Sequence, residues 1–364
     1  MKKIFLIIAI IASLCLTGCN SLKDKDIKKS FIKDIEGLKS YYMEGTLKLT
    51  NNDDTYEYDV KVSFKKDNNY KVSLINKANS YEQIILKNSD GVYVITPSLN
   101  KSFKFQSDWP DNNSQSYLLH SVASDLKNDS AYKFTQKDKD YVFTTKTNYP
   151  NNPKYVKQNI TIDKNNKLKK VEVQDENDVT YIEFVPNKID NKAKFSDNEF
   201  NLEEITKNFK TNETKSTSST TENNNEIKEE NRGELQEENK EEPTTEQTSK
   251  IDESIFPLYL PKNTSLSDKE VISTTNGERV IMTFSGDNPF VLVEETIKPS
   301  EKLEIIPTYG EPFMLIDTVG SLTDTSYSWT SNGVEYYIVS DQMNQNELLE
   351  VAKSINSVSA INQK

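Results

Sequence analysis

The amino-acid sequence predicts an α+β protein built around one large, curved antiparallel sheet, and three observations support this prediction. Residues 41 to about 186 alternate apolar and polar side chains with a period of two. Residues 203–250 change abruptly to an acidic, polar composition. Residues 251–364 return to strand-like runs and end in a helical pattern. We therefore expect a large sheet domain, a disordered linker and a smaller mixed domain of helix and strands.

The first residues have the features of a secretory signal peptide. Lys2 and Lys3 precede an apolar run, and "LTGC" closes that run at Cys19. A Leu-x-Gly-Cys ending is typical of bacterial lipoproteins, so we expect residues 1–18 to be removed by cleavage between Gly18 and Cys19. Residues 19–26 would then form a tether with acyl groups on Cys19. The alternative is an ordinary cleaved signal in which the cysteine occurs by chance.

The scarcity of reactive residues argues against an enzyme. Cys15 lies in the predicted signal peptide and Cys19 would be acylated, which leaves no thiol for a disulfide or a metal. His120 is the single histidine, so a Ser-His-Asp triad or a histidine zinc site is not expected. No phosphate-binding glycine loop or calcium loop occurs. We predict no catalytic residues, no metal and no cofactor.

The charge of the chain bears on its partners and its location. The formal net charge is −12, with no basic stripe, so nucleic acid is not an expected partner. Abundant Lys, Asn, Ile and Tyr suggest an AT-rich genome, and hence a low-GC Gram-positive bacterium. The lipid anchor would then hold the protein at the outer face of the cytoplasmic membrane.

The large domain, residues 27–202, should begin with an amphipathic helix. Asp26 can cap it, and Ile27, Phe31, Ile35 and Leu38 lie on one helical face. We expect this face to pack on the domain's own sheet rather than on a membrane. A second short helix, within residues 114–129, should cross the sheet with Leu118, Val122 and Leu126 inward. The eleven strand-like runs are YYMEGTLKLT, YEYDVKVSFKK, YKVSLINK, YEQIILKN, GVYVITP, KSFKFQS, YKFTQ, YVFTTKT, KYVKQNITIDK, LKKVEVQD and VTYIEFVPN.

The most patterned stretch is the predicted hairpin at residues 91–110, "GVYVITPSLNKSFKFQSDWP". Both faces of its first strand are apolar, and its second strand carries aromatic side chains on one face. This pattern indicates a strand covered on both sides. The hairpin either packs in the core under the N-terminal helix or forms a hydrophobic surface for a ligand or partner. The candidate residues for that surface are Tyr93, Ile95, Phe103, Phe105 and Trp109.

Residues 203–250 should be a disordered acidic linker. Within 211–250, eleven Glu face four Lys and one Arg, and only Ile227 and Leu235 are apolar. Such a segment cannot bury enough surface to fold.

Residues 251–364 should form the small C-terminal domain. Its expected strands are ERVIMTFSG, PFVLVEETI and EPFMLI, followed by a hairpin with Tyr327 and Trp329 before an Asn332-Gly333 turn. Asn344 can then cap a helix whose apolar face is formed by Leu348, Leu349, Ala352 and Ile355.

"DGVYVITPSLNKSFKFQSDWP" and the order of elements resemble the lipoprotein-carrier superfamily (LolA/LppX-like), and specifically the GerS-type germination lipoproteins of spore-forming clostridia. The resemblance covers about residues 19–200. It implies a half-open β-barrel with helices in its mouth. It also implies a non-catalytic role, in which the protein assists a cell-wall amidase during spore cortex modification. The region of Trp329, "NGVEYYIVS" and "ELLEVAKSI" is similar to a small C-terminal domain of unknown function in Gram-positive membrane-anchored proteins.

Three functional hypotheses follow. The first is a lipid-anchored module that assists a cell-wall amidase and so contributes to germination; in a spore-former it would lie in the intermembrane space of the forespore. The second is a carrier-like envelope protein that binds a lipid or lipoprotein. The third is an extracytoplasmic regulator of envelope stress. A homodimer with exchanged strands is a further partner consistent with so long a sheet.

Overall fold

The computed structural model describes residues 20–361, apart from 52–53, 208, 210–250, 252–253, 276 and 316–317, with backbone alone at 20–23 and 356–361. The predicted signal peptide, its cleavage site at Gly18 and Cys19, and most of the predicted linker lie outside the described residues. No helix in the described part of the chain is both long and apolar enough to cross a membrane.

The N-terminal domain is the predicted large sheet, and all eleven predicted strands are confirmed. The strands are β1 (Ser40–Asn51), β2 (Asp54–Lys65), β3 (Asn69–Asn76), β4 (Glu82–Asn88), β5 (Gly91–Thr96), β6 (Lys101–Phe105), β7 (Lys133–Lys137), β8 (Asp140–Lys146), β9 (Lys157–Asp163), β10 (Leu168–Gln174) and β11 (Thr180–Asp190). A 3-10 turn, Pro97–Leu99, joins β5 to β6. Neighbouring strands run antiparallel, and β1 pairs with β11, which places the first and last strands side by side.

A twelfth strand, β15 (Glu304–Thr308), comes from the C-terminal part of the chain. The sheet order is β15-β6-β5-β4-β3-β2-β1-β11-β10-β9-β8-β7, so the sheet stays open between β15 and β7. Because β15 pairs in parallel with β6, the two predicted domains share one sheet.

Two helices cover the concave face of this sheet, namely α1 (Asn20–Glu36) and α2 (Leu119–Asn128), and they pack against each other. Phe31 and Ile35 are buried as the spacing predicts, whereas Leu38 follows the end of α1. The prediction that α1 starts at Asp26 is wrong. Its helical backbone begins at Asn20, because "NSLKDKD" contains no glycine or proline to stop it.

The concave face holds the main core of the domain. The period of two places Tyr41, Met43 and Leu47 of β1 there, beside alternate residues of the neighbouring strands. The three residues predicted to point inward are also buried in it: Leu118, which directly precedes α2, and Val122 and Leu126 within the helix.

The convex face of the sheet is covered in part by a segment that sequence analysis assigned to the linker. Residues 202–207 form α3 (Leu202–Lys207), so the predicted linker boundary at residue 203 is wrong. Phe200 and Ile205 pack on this face of β4 and β5. They supply the apolar surface that makes the segment fold with the domain.

The C-terminal domain is a seven-stranded sheet with one helix packed on it. Its strands are β12 (Thr264–Thr274), β13 (Gly277–Gly286), β14 (Phe290–Thr296), β16 (Glu311–Met314), β17 (Val319–Leu322), β18 (Ser326–Ser331) and β19 (Val334–Val339). The order is β12-β13-β14-β19-β18-β17-β16.

Helix α4 (Gln345–Ile361) buries its predicted apolar face on this sheet. The Asn344 cap is confirmed, since the Glu347 amide donates to Asn344 Oδ1 at 3.0 Å.

Candidate functional site

The structure places the five residues of the predicted hydrophobic surface on two opposite faces of the sheet. Tyr93 and Ile95 lie on the convex face beneath Phe200 and Ile205. Phe105 and Trp109 are buried in the concave core, with Phe103 packed against it. The five therefore do not form one exposed surface, because alternate residues of a strand point in opposite directions.

The concave side of the hairpin faces the C-terminal domain. A small space between the domains is lined by Val94, Phe103 and Phe105 on one side and by Val319 and Trp329 on the other. The aromatic side chains of β6 therefore serve, at least in part, to dock the second domain.

Next to this contact lies an apolar cavity of about 110 Å³, whose walls come from both domains. Its lining is mostly aliphatic and aromatic, which is typical of a site for an apolar group. The apolar and aromatic lining residues are Leu47, Leu49, Ile85, Trp109, Tyr117, Tyr149, Tyr155, Tyr181 and Ile182 of the N-terminal domain and Pro312, Phe313, Met314, Leu315 and Val319 of the C-terminal domain. The polar lining residues are Thr50, Asn51, Asn113, Gln115, Ser116, Asn152, Lys154, Glu350 and Lys353.

Local contacts fix Trp109, the largest side chain of this wall. Its backbone N–H donates to Ser107 Oγ at 2.9 Å, and its carbonyl accepts a hydrogen bond from Lys87 Nζ. Its indole ring meets Tyr70 edge-on, with ring centroids 5.9 Å apart. The wall is therefore rigid where the aromatic hairpin ends.

Three buried tyrosines of the lining hold their hydroxyl protons more tightly than usual. Burial raises the pKa of Tyr117, Tyr149 and Tyr155 above the ordinary value. Three charged residues, Lys154, Glu350 and Lys353, also line the cavity, and Glu350 and Lys353 of α4 form an ion pair with a 2.9 Å Nζ–Oε1 distance. The interior consequently favours an uncharged, apolar group.

A buried glutamine holds the two halves of the cavity together. Gln83 of β4 is 4% exposed, and its Oε1 accepts hydrogen bonds from the Val319 amide (2.6 Å) and the Thr318 hydroxyl (3.1 Å). Its Nε2 donates to the Val319 carbonyl at 3.2 Å. Both the donor and the acceptor of the Gln83 side-chain amide are thus paired across the interface. These bonds fix the position of residues 318 and 319, and Val319 lines the cavity.

A carboxylate makes a second polar contact across the interface. Glu311 Oε2 accepts hydrogen bonds from Asn112 Nδ2 at 2.7 Å and from the Ser107 hydroxyl. Both donors belong to the loop that also carries Trp109. We refer to Gln83 and Glu311, with these partners, as the interdomain clasp.

A separate polar groove of about 540 Å³ runs beside α2. In it, burial raises the pKa of Asp125 to about 6, while Gln158 Nε2 donates to its Oδ2 at 2.6 Å. Burial lowers the pKa of His120, whose ring packs on Phe64 with centroids 4.3 Å apart. Within the described residues no group of three His, Cys, Asp or Glu side chains could hold a metal ion.

Sequence reasoning missed most of the cavity. Trp109 was a candidate, but Tyr117, Tyr149 and Tyr155 lie outside regular strands and carry no period. Residues 312–315 and 319 come from another domain, so their proximity to the hairpin is set by the tertiary fold. The sequence feature that could have indicated the cavity is the high frequency of tyrosine between residues 117 and 181.

Comparison with known proteins identifies a relative that matches the chain over nearly its full length. No family model matches the chain. The chain is 33% identical over 366 residues to the sporulation protein YdcC of Bacillus subtilis (strain 168), covering 99% of this chain and 100% of that protein. The chain belongs to the YdcC family. The match over the full length of YdcC means that both domains and the segment between them are included in the family.

Several solved structures also match, at low similarity. They include the Pseudomonas aeruginosa MucA/MucB complex (10% identity, covering 90% of this chain and 96% of that chain, TM-score 0.29). A putative outer membrane lipoprotein-sorting protein domain from Vibrio parahaemolyticus matches at 14% identity, covering 50% and 97% (TM-score 0.31). The CwlD amidase–GerS lipoprotein complex from Clostridioides difficile matches at 18% identity, covering 48% and 93% (TM-score 0.18). All three TM-scores are below 0.5.

Proposed function

We propose that this chain is a non-enzymatic lipoprotein, anchored at the extracytoplasmic face of the membrane, that binds a protein partner during sporulation. Membership of the YdcC family supports the link to sporulation. The signal-like start and Cys19 support the anchor. The observation that carries the proposal is the apolar cavity between the two domains, which would receive one apolar side chain of the partner.

The size of the cavity favours a protein partner over a lipid. A volume of about 110 Å³ is below the roughly 150 Å³ of an engineered cavity that holds one benzene molecule. A leucine side chain is of that scale, whereas the acyl chains of a lipoprotein are several times larger. In the docked arrangement of the domains, the cavity therefore suits a single anchoring side chain, the usual centre of a protein interface.

We further propose a cell-wall amidase as the partner, acting in modification of the spore cortex. The support is the resemblance of residues 91–110 to GerS-type lipoproteins. By assisting such an enzyme, the protein would contribute to later germination.

The test is capture of crosslinked partners from sporulating cells that express the tagged full-length chain, read by mass spectrometry. Leu49→Trp fills the cavity from β1. Val185→Trp is the matched control, because Val185 is 38% exposed on β11 and points to the opposite face. We expect wild type and Val185→Trp to recover an amidase from sporulating but not vegetative cells, and Leu49→Trp to lose at least nine-tenths of it.

Equal recovery by both tryptophan variants would contradict a role for the cavity. Recovery of a transmembrane protein in place of an amidase would contradict the amidase assignment and favour the envelope-stress regulator. Recovery of no protein at all would contradict the proposed function.

Lipid carriage is the second candidate, supported by the mostly apolar lining of the cavity. Opening of the domains would enlarge this space. Solvent extraction of the protein purified from membranes, followed by lipid mass spectrometry, tests it. Stoichiometric lipid beyond the acyl groups on Cys19 would favour the carrier, and its absence would contradict it.

A further inference from the structure

The strand that joins the two domains occupies a sheet edge. Across the β6–β15 pair, residues 304–308 run parallel to residues 101–105 in continuous register. Just before the pair, the Ser300 amide donates to the Leu99 carbonyl at 3.0 Å, and Asn100 Nδ2 donates to the Ser300 carbonyl at 2.8 Å. Without β15, β6 would present unpaired backbone groups, which readily bind an extended peptide.

β15 is a weak occupant of this edge. It has five residues, it pairs in parallel, and Pro307 has no N–H to donate. Ile305 remains 49% exposed. Because the β6–β15 pairing is weak, other contacts must help to hold the C-terminal domain on the large sheet. They include the interdomain clasp, whose residues lie outside both β6 and β15.

The covalent connection permits the C-terminal domain to leave. Residues 208–250 separate the last residue of α3 from Ile251. Undocking would remove residues 312–315 and 319 from the cavity at the same time.

We propose that the β6 edge is a peptide-binding site that β15 occupies in cis, and that an extended segment of a partner protein replaces β15. The segment that fits would pair in parallel with β6 and carry apolar side chains, as "EIIPT" does. This proposal rests on the proposed function in one respect, that the partner is a protein. Displacement of β15 would also remove one wall of the cavity, because the C-terminal domain carries both. The cavity is therefore a site of the docked state and the free β6 edge is a site of the undocked state.

The test measures binding of a fluorescein-labelled peptide with the sequence of residues 300–310 to the chain of residues 20–364, by fluorescence anisotropy. This chain contains every described element and no cysteine. Gln83→Ala and Glu311→Ala each remove one part of the clasp without altering the β6 edge. Lys101→Cys with Glu304→Cys, which are lateral partners in the register, locks β15 in place when oxidised.

We expect the apparent affinity for the peptide to rise about tenfold in Gln83→Ala and at least about threefold in Glu311→Ala, since weaker docking populates the open edge. The oxidised double-cysteine chain should not bind the peptide, and reduction should restore binding. A peptide of the same residues in scrambled order is the control.

Equal binding by the locked and the reduced chain would overturn the proposal, as would binding that neither clasp variant increases. Using two clasp variants guards against a folding defect in the buried Gln83 change. The experiment uses no cellular partner, so its failure would leave the proposed function to be judged separately by the capture experiment.

Discussion

At the scale of single residues, Glu294 is a carboxyl group on the core face of the C-terminal sheet. It is 1% exposed and pairs laterally with Val280 and Tyr336, both buried. The Ile255 amide donates to both of its oxygens, at 3.0 and 3.3 Å. Burial nevertheless dominates and raises the pKa of Glu294 to about 7 from the usual 4.5. This side chain should therefore make stability depend on pH.

We predict the sign of this dependence. Between pH 4.5 and 7 the folded state binds the Glu294 proton more tightly than the unfolded state does, so the free energy of unfolding falls as the pH rises. The effect is at most about 3 kcal/mol. Glu294→Gln removes the titration and keeps an acceptor for Ile255. Urea unfolding at pH 5 and pH 8 should show a smaller loss of stability in the variant, and equal losses would contradict this.

At the scale of elements, the β18–β19 hairpin is an example of a short sequence, Asn332-Gly333, that determines the local structure. Asn332 and Gly333 have φ values of 50° and 77°, as the two central residues of a type I′ turn require. The turn brings Trp329 opposite Tyr336, and their rings stack with centroids 5.0 Å apart. A short turn thus aligns part of the core of the C-terminal domain.

We predict that Gly333→Val destabilises the protein by about 1–2 kcal/mol, because a side chain at positive φ is strained. The cost is conformational, since a Cβ at position 333 would meet no atom within 4 Å. Asn332→Gly is the control and should change stability by less than about 0.5 kcal/mol, since glycine adopts the same φ freely. Thermal unfolding of both variants measures this, and a larger effect at Asn332 would contradict it.

The same local rules explain which elements the sequence could predict. Most strands of the N-terminal domain alternate because one face lies on the core, whereas β4 and β5 are apolar and covered on both faces. By contrast β12 is exposed at both faces over most of its length, β17 has four residues, and β15 contains a proline. β12 and β17 pair with strands next to them in the chain, but one is too exposed and the other too short to show a clear pattern. β15 pairs with β6, which is distant in sequence, so no local pattern marks it. The cavity was hidden for the same reason, because two domains supply its walls.

At the scale of the whole molecule, the aromatic hairpin of residues 91–110 packs against two different parts of the chain, one on each face of the sheet. Its convex side anchors the chain that leaves the N-terminal domain at α3. Its concave side and the β6 edge receive the C-terminal domain. Both proposals depend on this docking, because the cavity and the occupied edge exist only while the domains are together.

Disulfide trapping of the docked state tests this central claim most directly. In the chain of residues 20–364, Lys101→Cys with Glu304→Cys places two cysteines side by side in the β6–β15 register. Lys101→Cys with Thr308→Cys is the control, since that pair is offset by four residues, about 13 Å along the strand. We predict rapid, near-complete oxidation of the first pair under mild oxidant and little of the second. Equal oxidation of both pairs, or of neither, would contradict the docking of the C-terminal domain on β6.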